Sequence, residues 1–415
     1  MKNRFNTRQI RIIMMGTMLA LLSPFVSADA VSELKNELEL LKKQISDMQQ
    51  LLKSQQKTMA SKKEVEAVKQ EVKGVKEVAR TGNEWGIADS VVHLAGYAAV
   101  GYTDSERADG GFNLVTFNPI FHYQYKDLFL LEAELEIEVG DDGETEVELE
   151  YATIDWIIND HAVLLAGKFL SPLGQFRQNI HPTWVNKFAS APIGYGHDQA
   201  APLAEVGVEL RGGFNVMQSG RANYAVYVGN GPLIEIDAGE GEIEAVESEG
   251  LASNEDGELV WGGRLGILPV PGLEFGVSGA WGDVGPEGEE NLLRDYRAFG
   301  VDAAYQIGSA WDFRGEYIRQ RVGSQAASAA PDAATFKAWY LQGAYKFLPS
   351  KWEVVARYGD YESPHASQNQ EQWAIGANYL FASNAIAKFA YEFNDGLKGA
   401  ATDDDRFLIQ LTYGF

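Results

Sequence analysis

The stretch Leu131–Tyr151 reads LEAELEIEVGDDGETEVELEY. Leu131, Ala133, Leu135, Ile137 and Val139 alternate with Glu132, Glu134, Glu136 and Glu138. Beyond an Asp-Asp-Gly connector, Val147, Leu149 and Tyr151 alternate with Glu146, Glu148 and Glu150. A period of two sends successive side chains to opposite faces of a strand. The pair therefore has one apolar face and one face of carboxylates. A soluble sandwich also alternates, but it hides its apolar face in a core. Glutamates can face inward only if the interior is wet, as in a barrel whose apolar face meets lipid.

The same grammar runs to the C-terminus. Leu94 to Tyr102, Phe275 to Trp281, Phe299 to Tyr305, Trp339 to Phe347 and Trp373 to Phe381 all alternate. Segments of about ten such residues are the signature of membrane-spanning strands. Short connectors fall at 126–127, 159–160, 218–220, 269–272, 308–309, 348–351 and 383–384. Long ones lie near 104–110, 140–145, 170–203, 230–257, 284–295, 321–334, 362–370 and 395–404. Short turns alternating with long loops predict an all-β transmembrane barrel of about 16 antiparallel strands. An even count closes the sheet and leaves no free edge. Trp156, Trp311 and Trp352 lie beside short turns, and Trp261, Trp281 and Trp373 near long loops, as two interfacial girdles require.

The N-terminus has a different character. Lys2, Arg4, Arg8 and Arg11 precede the apolar segment Ile12 to Val26, and Val26-Ser27-Ala28 supplies small residues before Asp29. This predicts a signal peptide over residues 1–28. Leu34, Leu38, Leu41, Ile45, Met48 and Leu52 then follow a three-four spacing, which Val65, Val68, Val72, Val75 and Ala79 resume out of phase after Ser61-Lys62-Lys63-Glu64. An α-helical coiled-coil segment in two pieces is expected over 29–82, ahead of a barrel over 85–415. Its β-branched seam favours a trimer over a parallel dimer. The chain carries 59 acidic against 35 basic residues, which argues against a nucleic-acid partner. It has no cysteine, so no disulfide holds it.

The third long connector, 170–203, contains Pro172, Pro182, Pro192 and Pro202, which exclude a central strand or an unbroken helix. Yet Leu173, Phe176, Ile180, Trp184, Val185, Phe188, Ile193 and Tyr195 need burial. Folding back onto the inner wall of the barrel would bury them. Here the chain resembles bacterial porins, whose third outer loop narrows the channel. Phe407, Ile409, Leu411, Tyr413 and Phe415 end it on a phenylalanine, similar to the assembly signal of outer-membrane barrels. With its coiled coil it is similar to the trimeric coiled-coil porins, the phosphate-selective and DcaP-like groups, and less closely to the siderophore-linked barrel porins. The resemblance implies a water-filled outer-membrane channel, a homotrimer among lipid and lipopolysaccharide, small hydrophilic solutes as cargo, a periplasmic coiled coil and no cofactor.

Pattern phase assigns the lumen lining. Glu132, Glu134, Glu136, Glu138, Glu146, Glu148 and Glu150 are expected inward on strands three and four. Lys168, Arg211, Arg264, Arg314, Lys346, Arg357, Lys388 and Arg406 are expected inward on strands five to sixteen. Opposed charges on two walls would create a transverse field at a constriction. Arg177 and Lys187 of the loop either line that constriction or fasten the loop to the glutamate ladder. If the loop covers the acidic wall, the free path is bounded by bases and favours anions. With only these two bases, the loop lacks the dense basic cluster on which phosphate-selective relatives depend.

Other constellations carry less. His181 and His197 share the loop, but without cysteine or an HExxH pattern they predict solvated or hydrogen-bonded imidazoles rather than metal ligands. The connector 230–257 has nine acidic residues and no Lys or Arg, which reads as a solvated, repulsive surface or as a funnel for cations. No GxSxG elbow supports an enzyme. The alternatives to a passive pore are a substrate-selective channel for organic anions, phosphate or a siderophore, and a structural tether with the coiled coil touching peptidoglycan.

Overall fold

The computed structural model describes residues 90–140, 142–216 and 220–415. The signal peptide, the coiled coil and most of the turn at 218–220 lie outside these residues. The strands are β1 (Ser90–Ser105), β2 (Gly111–Tyr125), β3 (Phe129–Val139), β4 (Thr145–Asn159), β5 (Ala162–Leu170), β6 (Ala204–Val216), β7 (Gly220–Gly229), β8 (Leu233–Asp237) and β9 (Glu242–Glu247). They continue as β10 (Val260–Val270), β11 (Leu273–Val284), β12 (Arg294–Ile307), β13 (Trp311–Val322), β14 (Ala334–Lys346), β15 (Trp352–Glu362), β16 (Gln370–Ala382), β17 (Ala385–Gly396) and β18 (Arg406–Gly414). Sixteen of them close an antiparallel barrel, while β8 and β9 form a separate hairpin inside the fourth long loop.

Closure is made by β1 against β18, where Gly96 and Phe415 exchange both backbone hydrogen bonds at 3.1 and 2.8 Å. Gly96 has φ +154°, and a Cβ there would stand 2.5 Å from the Asn118 carbonyl oxygen. Only glycine fits this seam. The alternating apolar residues face out: Leu131, Val147, Leu265, Phe275, Leu341 and Leu411 are all exposed. In lipid that face is solvated by hydrocarbon, while the closed ladder satisfies every backbone group it crosses. Trp261 and Trp281 pair across β10 and β11 near the long loops, and Trp156 and Trp352 are exposed beside short turns.

One bulge changes the phase. Glu134 pairs with Tyr151 but Leu135 pairs with Leu149, so Glu150 is an extra residue on β4. Tyr151, expected outward from unbroken alternation, instead shares the inward face with Thr153 and Asp155. The shift carries across the ladder: Asp155 pairs with Leu165, and Leu165 with Glu209. Leu165 and Phe169 therefore point in, and Lys168 pairs with Ala152 and Val206 on the outward face. The inward assignment of Lys168 is thus corrected; its stem lies against Gly250 of the fourth loop.

The connector between β5 and β6, hereafter loop 3, fills part of the barrel. Leu173, Phe176, Ile180, Phe188, Ile193 and Tyr195 are buried, and most join one apolar cluster with Phe169, Tyr227, Tyr296, Phe336 and Tyr340 of the wall. A single π-turn over Phe176–Ile180 is its regular structure. The hairpin β8–β9 enters the same cluster through Ile234, Ile243 and Val246. The fourth loop is therefore not merely a solvated surface. Its acids alternate with an apolar face that packs over loop 3, and Ser248 accepts hydrogen bonds from the Leu203 and Ala204 backbone at 2.9 and 3.0 Å.

Candidate pore constriction

Loop 3 crosses to β13, where the Gln175 backbone N–H donates to Glu316 at 3.0 Å and Tyr340 donates to the same carboxylate at 2.7 Å. It then turns back towards the glutamate ladder. Arg177 approaches Glu150 at 3.6 Å, and His181 Nδ1 donates to the Arg177 carbonyl. Burial pushes the His181 imidazole down, with Glu150 opposing the shift only in part. Its approaches of 3.8 Å to Glu150 and 4.0 Å to Glu134 are therefore contacts of a neutral ring at pH 7. Burial likewise lowers Arg177, against the attraction of Glu150.

From there the loop runs along the basic wall. Lys388, almost fully buried, donates to the carbonyls of Thr183 and Phe188 and to Gln410. Arg357 donates to the Ser190 and Ala191 carbonyls at 3.2 and 3.0 Å, and its guanidinium stacks 4.6 Å from the Phe188 ring. Ser190 donates to Glu392, which also holds Arg406 at 2.6 Å. Lys187 pairs with Glu353 at 2.8 Å, on β15 rather than on the ladder. Gly194, at φ +81°, sits so close to β14 that a Cβ would stand 2.1 Å from Ala338 Cβ. Gln320 donates to the Ala200 carbonyl at 3.0 Å and completes the span.

The remaining bases are held by neighbouring acids. Arg211 bonds Asp155 at 2.9 Å and lies 3.6 Å from Glu132. Arg264 is held by Asp302 at 2.6 Å and Glu274 at 2.9 Å. Arg314 is held by Asp312 at 2.7 Å. Of the bases expected inward from sequence, Lys168, Lys346 and Lys388 make no ion pair among the described residues; Lys388 is held by carbonyls instead, and Lys346 stands at the short-turn end. The loop thus covers the basic wall, opposite to the arrangement in which a free basic path would favour anions. The loop also covers Glu134 and reaches Glu150, so only the outer part of the acidic wall stays open. Glu136 faces Glu148, and Glu138 faces Glu146, directly across β3 and β4. No basic group among the described residues lies within ion-pair distance of these four.

Sequence reading missed the inward acids: Asp302, Glu316, Glu353 and Glu392, which hold the loop or the bases of the wall, and Glu209, which bonds neither. Their signal was phase. Glu209 is two residues from Arg211, Glu316 two from Arg314, and Glu392 four from Lys388, so each shares the inward face of a base already assigned there.

A sequence profile described as Gram-negative porin matches residues 74–399. The chain belongs to the Gram-negative porin family. It is an outer-membrane channel for passive diffusion, and family and fold mark a channel rather than an enzyme. Solved structures similar to it include the loop L8 deletion mutant of OmpT from Vibrio cholerae, at 14% identity and TM-score 0.52, covering 79% of this chain and 100% of that one. An anion-selective porin from Comamonas acidovorans gives the same figures. The outer-membrane channel DcaP of Acinetobacter baumannii aligns at 12% identity and TM-score 0.51, covering 80% of this chain and 99% of that one. At these identities the likeness is one of fold. No curated protein sequence matches the chain.

Proposed function

We propose that this porin passes small hydrophilic solutes with a preference for cations. The observation that carries it is the register of β3 and β4. Like charges directly opposite one another destabilise a strand pair, yet Glu136–Glu148 and Glu138–Glu146 stand so and make no ion pair among the described residues. Such pairs draw counter-ions from solution. Meanwhile Arg357 and Lys388, the deepest bases, are covered by loop 3. The nine acids of the fourth loop add a field that concentrates cations at the mouth.

The test is the reversal potential of the purified protein in a planar bilayer under a KCl gradient. A potential on the cation side is expected, and Glu136→Gln with Glu148→Gln should move it towards zero. A potential on the anion side in the wild type would overturn the proposal. We further propose that residues 29–82 form a periplasmic coiled coil that trimerises the protein, which the seam spacing supports. Sedimentation of the chain lacking residues 31–80 should then show trimers lost or weakened, with unit conductance retained.

A further inference from the structure

Beneath loop 3, against β2 to β6, lies a cavity of about 290 Å³. Glu134, Glu209, His181 and Arg211 contribute polar atoms to it, and Leu165 and Phe169 contribute apolar surface. Two places in it present acceptor atoms that no hydrogen-bond donor of the protein reaches. At the first, His181 Nδ1 donates to a carbonyl, so Nε2 keeps a bare lone pair. That nitrogen lies 4.0 Å from Glu134 Oε1, and no group hydrogen-bonds either atom. At the second, Glu209 is 0% exposed and neither of its carboxylate oxygens has a hydrogen-bond partner. A carboxyl group buried in this way either keeps its proton or takes a positive charge beside it. Arg211, on the same strand and in the same lining, bonds Asp155 at 2.9 Å through Nη2 and makes no hydrogen bond to Glu209.

A single metal ion does not answer the demand. Among the described residues, the one group of three acidic or imidazole ligands close enough to share an ion is Glu240, Glu242 and His365, in the outer loops. The acceptors in the cavity belong to different elements, Glu134 of β3 with His181 of loop 3, and Glu209 of β6. Each suits an N–H donor carrying charge.

We propose that this cavity is a subsite for short linear diammonium compounds. One ammonium donates to Glu134 and His181 Nε2, the other donates to Glu209, and the methylene chain lies along Leu165 and Phe169. The inference rests on the cation-preferring channel for the ligand's entry, but its retention depends on the cavity alone. The chemistry separates this class from monoamines, which can satisfy only one of the two places.

The experiment is single-channel recording of the full chain in KCl, with 1,4-diaminobutane or butylammonium added, and the reversal potential measured in the same membranes. Reversible block by 1,4-diaminobutane is expected at a concentration about tenfold or more below that for butylammonium, since a second charge-assisted hydrogen bond is worth at least that factor. Glu209→Gln should raise the half-blocking concentration of the diamine by a similar factor and leave that of butylammonium nearly unchanged. Titration calorimetry of the detergent-solubilised wild type with both amines gives the same comparison without any variant. Equal potency of the two amines, in block and in calorimetry, would overturn the subsite. An anion-side reversal potential with selective diamine block would overturn the cation preference and leave the subsite standing. Cation-side reversal without selective block would do the opposite.

Discussion

Lys388 shows how much of the constriction hangs on single buried groups. Its ammonium satisfies two loop carbonyls and a glutamine from a position that is 1% exposed. Lys388→Met keeps the stem but leaves those acceptors unpaired, at a cost of roughly 3 kcal/mol for hydrogen bonds to a charged group. We expect a lower unfolding temperature and a larger, noisier unit conductance as the Thr183–Phe188 segment lifts; unchanged conductance would show that the loop is held without it. His197 and Glu249 make a second residue-scale device, joining loop 3 to the fourth loop. Their hydrogen bond raises the His197 pKa, although burial works against it, and lowers that of Glu249. The histidine's contribution is complete below its ordinary value of 6.5 and is lost as pH rises through the raised one. The glutamate's contribution is complete above its ordinary 4.5 and is lost as pH falls through the lowered one. The link is therefore whole between about pH 4.5 and 6.5. Amide exchange over 194–203, corrected for intrinsic rate, should be slower at pH 5.5 than at pH 9, and equal protection would exclude the link as a tether.

Among the elements, loop 3 is where sequence reading succeeded and stopped. Its prolines and apolar side chains required burial against the barrel, and most are buried, with Pro182, Trp184 and Val185 only half-buried. Which wall it would choose was not legible, because that depends on contacts such as Lys388 with Phe188, about two hundred residues apart. The hairpin β8–β9 was legible in principle: Ile234 and Ile236, then Ile243 and Ala245, alternate with acids, and the acid count drew attention away from them. Gly194 tests how tightly the loop is seated. Its positive φ and the Cβ of Ala338 leave no room for a branched side chain. Gly194→Val should displace the loop from β14 and cost about 2–4 kcal/mol through strain and overpacking. A raised conductance in the folded variant checks it, and normal conductance with normal stability would mean that the loop seats elsewhere.

For the whole molecule, strand count, loop asymmetry and lumen polarity were all readable, because each is fixed by local alternation and by the need to satisfy the backbone in lipid. Closure is the exception, a contact between the two ends of the barrel sequence. Phe415 makes two backbone hydrogen bonds to Gly96 and stacks on Phe117 with centroids 6.0 Å apart. Removing it should cost roughly 2 kcal/mol in lost hydrogen bonds alone. Refolding into lipid vesicles should give a smaller heat-resistant fraction, and an undiminished fraction would place the closing energy deeper in β1 and β18.

The bulge at Glu150 also decides what kinds of sequence change this barrel can absorb. Because Leu149 faces out and Tyr151 faces in, excising the residue between them leaves every other side chain on β4 pointing where it did before. Excising Ile154 instead would turn one end of the strand inside out, presenting either Asp155 or Thr153 to hydrocarbon. In a library of single-codon deletions across 145–159, codon 150 should be the gap that survives, although it removes the partner of Arg177. A gene lineage that lost that codon would keep its channel, and one that lost Ile154 would not.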